Sequence, residues 1–346
     1  MRYKHKQIKR SWSGHILILK KMLYILLPLC LITVLFIFAI SLFNSASPVA
    51  AAGQKPQLKM VPELTIGQED GDENLMFAHI AYIDVDAQGN IHVLDTKNRQ
   101  LRIFSEEGQF LRSIIISPGQ GPQELTQFSG MAVTPSGKVF INGNRKMILY
   151  DSEGNYLRTF PVTFHVSCIG SPGTEEIVGI GPNDGKILHI FNEEGEIPAS
   201  FGEVFDVPKD FEPMKMMPMF GAPLVFSCSK DGRIFVLNPH RYEFLVFKDR
   251  QLEATIRGTS EIFQPIIQKG RAFISTAASI LPAGEFILVY FSSYQNTSNI
   301  ADIFYKGKKV GSLELPGQLK AVDYQGKLYL VEEQEYPRII RCSIAR

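Results

Sequence analysis

An internal repeat constrains this chain more than any other feature. From about residue 58, apolar or alternating stretches of four to seven residues recur between Gly, Asn, Asp and Pro turns, and long stretches of 3.6-residue period are missing. That is a β-strand pattern. The clearest copy, Ile80 to Ile116, contains IDVDAQGNIHVLD and then RQLRIFSEEGQFLRSI. It reads as a strand, an Asp-rich turn ending in Gly89, a second strand, a polar corner, a third strand ending in Phe104, and a Glu-Glu-Gly turn before a fourth strand. Further copies run from Met131 to Phe160, Val166 to Phe201, Leu224 to Ile256 and Phe273 to Leu315, and a sixth begins at Leu319.

Gly89, Gly137, Gly232, Gly284 and Gly326 mark the first turn in five copies, while Phe104, Tyr150, Phe191, Phe247 and Tyr305 mark the end of the third strand. From glycine to aromatic the interval is 13 to 15 residues in the pairs Gly89–Phe104, Gly137–Tyr150 and Gly232–Phe247. Four strands in about 40–45 residues is the period of a propeller blade. A lone four-stranded sheet cannot bury both faces, but sheets packed radially cover one another and the ring closes the core. The expected fold is all-β, a six-bladed β-propeller. The sixth copy ends at Arg346 after three strands, and Gln57–Gly67, which has strand character, is expected to complete that blade. The third and fifth copies are weakly marked, so paired β-sandwiches or a ring of five or seven blades are the competing arrangements.

The segment before the repeats is of another kind. Residues 1–21 form a basic tail, 22–43 an apolar run, 44–57 a linker and 58–346 the repeat domain. Met22 to Phe43 carries no charge over 22 residues, enough for a transmembrane helix, which needs about 20. The basic tail should stay in the cytoplasm, placing everything after Phe43 outside. Small residues at Ser47-Pro48-Val49-Ala50-Ala51-Ala52 offer a cleavage site after Ala52, although the run is longer than an ordinary signal-peptide core. A retained single-pass signal-anchor in the cell membrane and a cleaved, secreted or periplasmic domain are both open. Each exports the repeats. Cys30 lies mid-run without the small residues that lipidation requires before it.

The net charge of +1 hides an asymmetry. Residues 1–53 hold seven basic residues and no acid; taking those seven from the 36 leaves 29 basic against 35 acidic residues. An acidic domain repels phosphate backbones, which argues against nucleic acid as a partner. Cys168, Cys228 and Cys342 form no disulfide framework and no zinc spacing. A Cys168–Cys228 bridge between neighbouring repeats and buried free thiols are the two readings.

The first repeat resembles an NHL repeat, on Ile80, Asp84, Gly89-Asn90-Ile91, Val93, Asp95-Thr96, Asn98, Ile103-Phe104 and Gly108. The family's usual arginine two positions after the asparagine is Gln100 here, flanked by Arg99 and Arg102. Ser117 to Leu125 is similar to the Gly-x-Gly-Pro-x-Glu-Phe segment of bacterial exported six-bladed propellers, with Leu125 in place of Phe. The resemblance is specific over residues 80–128 and architectural elsewhere. It implies six blades and chooses no activity, because such propellers include interaction modules, lyases and hydrolases.

Four features fall on the face formed by the connections into each first strand and between each second and third strand. Gly119-Gln120-Gly121-Pro122 lacks the Gly-Lys-Ser/Thr ending of a phosphate loop and reads as a rim turn, from which Gln120, Glu124 and Gln127 could contact a partner. His79 and His165 precede the first strands of blades one and three; related propeller lyases hold a metal with such histidines, yet a catalytic zinc wants three ligands and no third is at hand. Met214, Met216, Met217 and Met219 lie in a proline-flanked connection, expected to be fixed and extended. They read as a core plug or lid, an adaptable contact surface or a Cu(I) site. No nucleophile or zincin motif occurs. The expectation is a membrane-tethered extracytoplasmic module that binds a protein, peptide or glycan and names no cofactor. The alternative is a metal-assisted lyase or hydrolase using His79 and His165.

Overall fold

The computed structural model describes residues 58–221, 225–273, 275–292 and 299–345. The expected signal-anchor at 22–43, its tail and its linker lie outside the described residues. Among the described residues no helix is long and apolar enough to cross a membrane.

Six antiparallel four-stranded sheets follow one another along the chain. Blade one comprises Ile80–Val85, Ile91–Asp95, Gln100–Phe104 and Phe110–Ile115. The next four blades open with Gly130–Val133, Cys168–Gly170, Phe226–Cys228 and Ala277–Ala283. Blade six contains Gln318–Val322, Leu328–Glu332 and Arg338–Ala345, and its outermost strand is Lys59–Ile66 from the other end of the domain. That strand pairs antiparallel with the last one, from Lys59 opposite Ala345 to Ile66 opposite Ile339. The ring is therefore closed by the two ends of the repeat domain, as the three-stranded sixth repeat requires. The first strands of blades one to six touch in order and the sixth touches the first, which settles six blades over the competing arrangements.

Burial shows why the repeat folds this way. Second strands are covered on both faces, so Ile91–Asp95 and Val139–Gly143 are buried at every residue. The outermost Phe110–Ile115 alternates between half-buried and exposed, as a strand with one wet face should. The core is a set of wedges between adjacent blades: Leu94, Leu101 and Ile103 of blade one pack with Met131, Val139 and Ile148 of blade two. At Gly89 φ is +85°, as the tight turn demands. Copy three has its own turn glycine, Gly173, with φ +79° and backbone of Lys230 where a Cβ would stand.

Two long connections depart from the repeat. Residues 204–225 join blades three and four, and residues 258–276, with the hairpin Ile267–Gln268 and Arg271–Ala272, join blades four and five. The first is not extended, contrary to expectation. Lys209–Met214 forms a 3-10 helix with Pro213 inside it, because short 3-10 pieces tolerate a missing amide donor better than a long α-helix.

Candidate functional site

The first strands of all six blades line a central cavity of about 420 Å³. At the end where first strands turn into second strands, blades one and four meet across the ring. Lys230 Nζ donates to Asp84 Oδ1 at 2.7 Å, and both side chains are largely buried. Asp84 also accepts from its neighbour Val85 N and, through Oδ2, from Val133 N of blade two. The Lys230 ammonium lies 5.2 Å from the Tyr324 ring centroid of blade six. Burial pulls this ammonium down, but the charge and hydrogen bond of Asp84 outweigh it, and the net shift is upward. One ion pair thus ties four blades together at that end of the channel.

Cys168 and Cys228 line the same cavity on neighbouring first strands as free thiols, not a bridge. Burial pushes the Cys168 thiol up to about 11 and raises Cys228 as well, which makes both poor nucleophiles. Lys320 also faces the cavity. It is the extra residue of a bulge in Gln318–Val322, where Leu319 pairs with Leu330 and Ala321 with Tyr329. The bulge shifts the strand's alternation, so Leu319 packs toward blade five and Ala321 toward blade one, leaving Lys320 to the axis.

At the opposite, loop-rich mouth stands His79. Its Nδ1 is 3.3 Å from Glu333 Oε1 of blade six, and Gln318 Nε2 donates to Glu333 Oε2 at 3.3 Å. His165 is exposed on blade three. Among the described residues no three His, Cys, Asp or Glu side chains gather as metal ligands; His79 has a carboxylate neighbour, and no third ligand joins it to His165.

The rim turn after blade one is built by its own side chains. Glu124 folds back to accept from Gly121 N at 2.8 Å, and a Cβ on Gly119 would stand 2.0 Å from Glu124 Oε2. Lys146 Nζ donates to the carbonyls of Gln120 and Gly121 at 3.0 and 2.6 Å. Asn144 Oδ1 accepts from Gln127 N at 3.0 Å. The side chains of Gln120 and Gln127 stay exposed, whereas Glu124 is spent on the turn.

The methionine loop is not a core plug. Met214, Met216 and Met217 are 41%, 47% and 51% exposed, and the buried anchor is Phe220, at 9%. Phe211 stacks on Phe220 with centroids 6.0 Å apart, and His240 Nε2 meets Phe220 O at 2.7 Å. Met219, with φ +69°, is half-buried and makes the final turn. The second insertion leans on the same corner of blade four, since Ile266 N donates to Pro239 O at 2.9 Å. Of the twelve exposed large hydrophobics among the described residues, five (the three methionines, Ile262 and Phe273) lie on these two insertions. The three exposed methionines fall within four residues of one loop.

Comparison with known proteins supports the architecture. Residues 71–176 match the sequence model of a family described as a 6-bladed beta-propeller. No curated protein matches the chain. A Bacteroides fragilis protein described as exported is similar in structure at 10% identity, with a TM-score of 0.57 over 86% of this chain and 98% of that one. A member of the duf4221 family from Bacteroides vulgatus is similar at 12% identity and a TM-score of 0.54, over 84% and 99%. At such identities the likeness is one of fold.

The Asp84–Lys230 pair and Lys320 were not legible in the sequence. Both depend on contacts across the ring between residues far apart in sequence. A lysine within an otherwise apolar first strand, as in Leu319-Lys320-Ala321-Val322, was the available signal for the latter.

Proposed function

We propose that this chain is an extracytoplasmic binding and scaffolding propeller that receives a protein partner on the methionine-bearing rim of blade four. Residues 22–43 tether it to the membrane, or cleavage after Ala52 releases it. The carrying observation is that three neighbouring methionines are held outward on a loop whose backbone is pinned by Phe220 and His240. Flexible thioethers on a fixed frame make adaptable apolar contacts, and concentrated exposed apolar surface marks interaction sites. Gln120 and Gln127, exposed on the connection between blades one and two, offer polar contacts on a separate sector of the same face.

The test is co-purification from native membranes with wild-type chain and a Met214→Ser, Met216→Ser, Met217→Ser triple variant. A specific partner retained by the wild type and lost by the triple variant, at unchanged thermal midpoint, supports the rim. Equal retention by both removes it. Metal analysis addresses the enzyme alternative: stoichiometric zinc, iron or calcium lost in a His79→Ala, His165→Ala variant would favour a lyase or hydrolase.

A further inference from the structure

The central cavity carries a second inference, independent of the rim. We propose that it binds a small hydroxylated monocarboxylate, of the sugar-acid kind, with Lys320 as the anchor for the carboxylate. Its volume of about 420 Å³ lies in the range of small-molecule sites, roughly 300–1,000 Å³.

The charges lining it leave one group unanswered. Asp84 and Lys230 neutralise each other. Asp323 is turned into its own hairpin, where it accepts from Gln325 N, Lys327 N and the Tyr329 hydroxyl. Lys320 has no hydrogen bond or ion pair with any described residue. The nearest influence on it is Glu333, which already engages His79 and Gln318. Burial therefore pulls the Lys320 ammonium down, with Glu333 drawing it partly back. An ammonium held in a polar cavity without a partner favours an anion, and one positive charge matches one carboxylate better than a dianionic phosphate, which would be left undercompensated.

The wall supplies the second half of the recognition. Ser167 and Ser171 of blade three, opposite Lys320 in the ring, and Ser227 of blade four line the cavity, and their hydroxyl oxygens are buried in its wall without a hydrogen-bond partner. Ser171 and Ser227 are 3% and 9% exposed. Buried hydroxyls are seldom left unpaired. On ligand binding each would change its χ1 rotamer to donate to and accept from ligand hydroxyls. The geometry also defines a direction. The Asp84–Lys230 pair lies across one end, so the proposed entry is from the loop-rich mouth, past His79 and Glu333. The bulge is what makes this site: the other first-strand bulges, at Ala81 and Ala278, present alanine to the cavity.

The experiment uses the full-length chain in detergent at pH 7, titrated with D-glucuronate and with D-glucose, which lacks the carboxylate. Calorimetry and thermal shift should show saturable glucuronate binding and none by glucose. Lys320→Met, which keeps the stem and removes the charge, should weaken glucuronate by at least roughly tenfold. Should that variant not fold, reductive methylation of the wild-type chain read by mass spectrometry replaces it, and glucuronate should slow modification of Lys320 selectively. Glucuronate and glucose behaving alike, a Lys320→Met variant that binds as the wild type does, or a methylation rate at Lys320 indifferent to glucuronate would each overturn the proposal.

Discussion

The Asp84–Lys230 pair shows how much one contact can settle in a ring. Removing the ammonium in Lys230→Met leaves the Asp84 carboxylate largely buried, with only the amides of Val85 and Val133 to answer it. Breaking one side of a buried pair costs about 3–5 kcal/mol, and those two amides place the expected loss at about 3 kcal/mol in a denaturant titration. An Asp84→Asn, Lys230→Met double variant should recover part of it, because no charge is then left alone. The pH dependence follows from the upward shift of Lys230. A cation whose folded value is raised contributes its full stability below the unfolded lysine value and loses it as pH climbs through the folded one. The wild type should therefore lose stability above about pH 10.4 by an increment missing from Lys230→Met; parallel curves for the two proteins would contradict this. Nothing in the sequence pairs residues 84 and 230, which lie 146 positions apart. By contrast, Asp95 was legible as a corner residue, and it accepts from the amides of Ala78, His79 and Asn98 as an Asp in that repeat position should.

Among the elements, the regular strands were readable and the insertions were not, for a physical reason. Strand periodicity and turn glycines are local properties, so Gly89, Gly137 and Gly326 locate their hairpins wherever the blades end up. The segment 204–225 has no period, and four prolines suggested extension. Its shape is instead decided by tertiary anchors, the Phe205 N to Gly221 O bond at 2.7 Å and the seat of Phe220 on His240. Gly221 is the critical closure, because a Cβ there would stand 1.9 Å from the carbonyl oxygen of Lys215. Backbone cannot yield as a side-chain tip can, so Gly221→Ala should displace the loop at a cost of roughly 1–3 kcal/mol. The effect should be local. Hydrogen exchange should accelerate at the amides of Phe205 and Phe220 while those of Ile91–Asp95 keep their protection. Partner retention should fall as it does in the methionine variant, and unchanged exchange at Phe205 would show that the loop absorbs the methyl group.

For the whole molecule, the question is what keeps six similar wedges in one ring. Each blade covers its neighbours, so an opening anywhere exposes two apolar faces, and the only seam not crossed by continuous chain is the one in blade six. There Lys59–Ile66 joins Arg338–Ala345 through backbone pairing and through Leu58 and Ile66, which are 8% and 2% exposed. Ile66 packs with Ile80 and Phe104 of blade one, and Leu58 with Leu288 and Leu315 of blade five, so this one strand seals both flanks of its blade. Two buried side chains contribute about 1.5–3 kcal/mol each, before the unpaired amides of the exposed edge are counted. Their sum, about 3–6 kcal/mol, reaches the lower end of the roughly 5–15 kcal/mol that holds a typical domain folded. Deleting residues 54–66 should therefore abolish the cooperative thermal transition or lower it by tens of degrees, with aggregation through the bare edge of Arg338–Ala345. A synthetic peptide spanning residues 57–67, added in excess, should restore the transition in proportion to its concentration, since ligand binding to the native state stabilises by mass action. A deletion variant that melts like the parent would mean that the other five interfaces hold the ring unaided, and that the seam is a convenience of chain connectivity with no share in its stability.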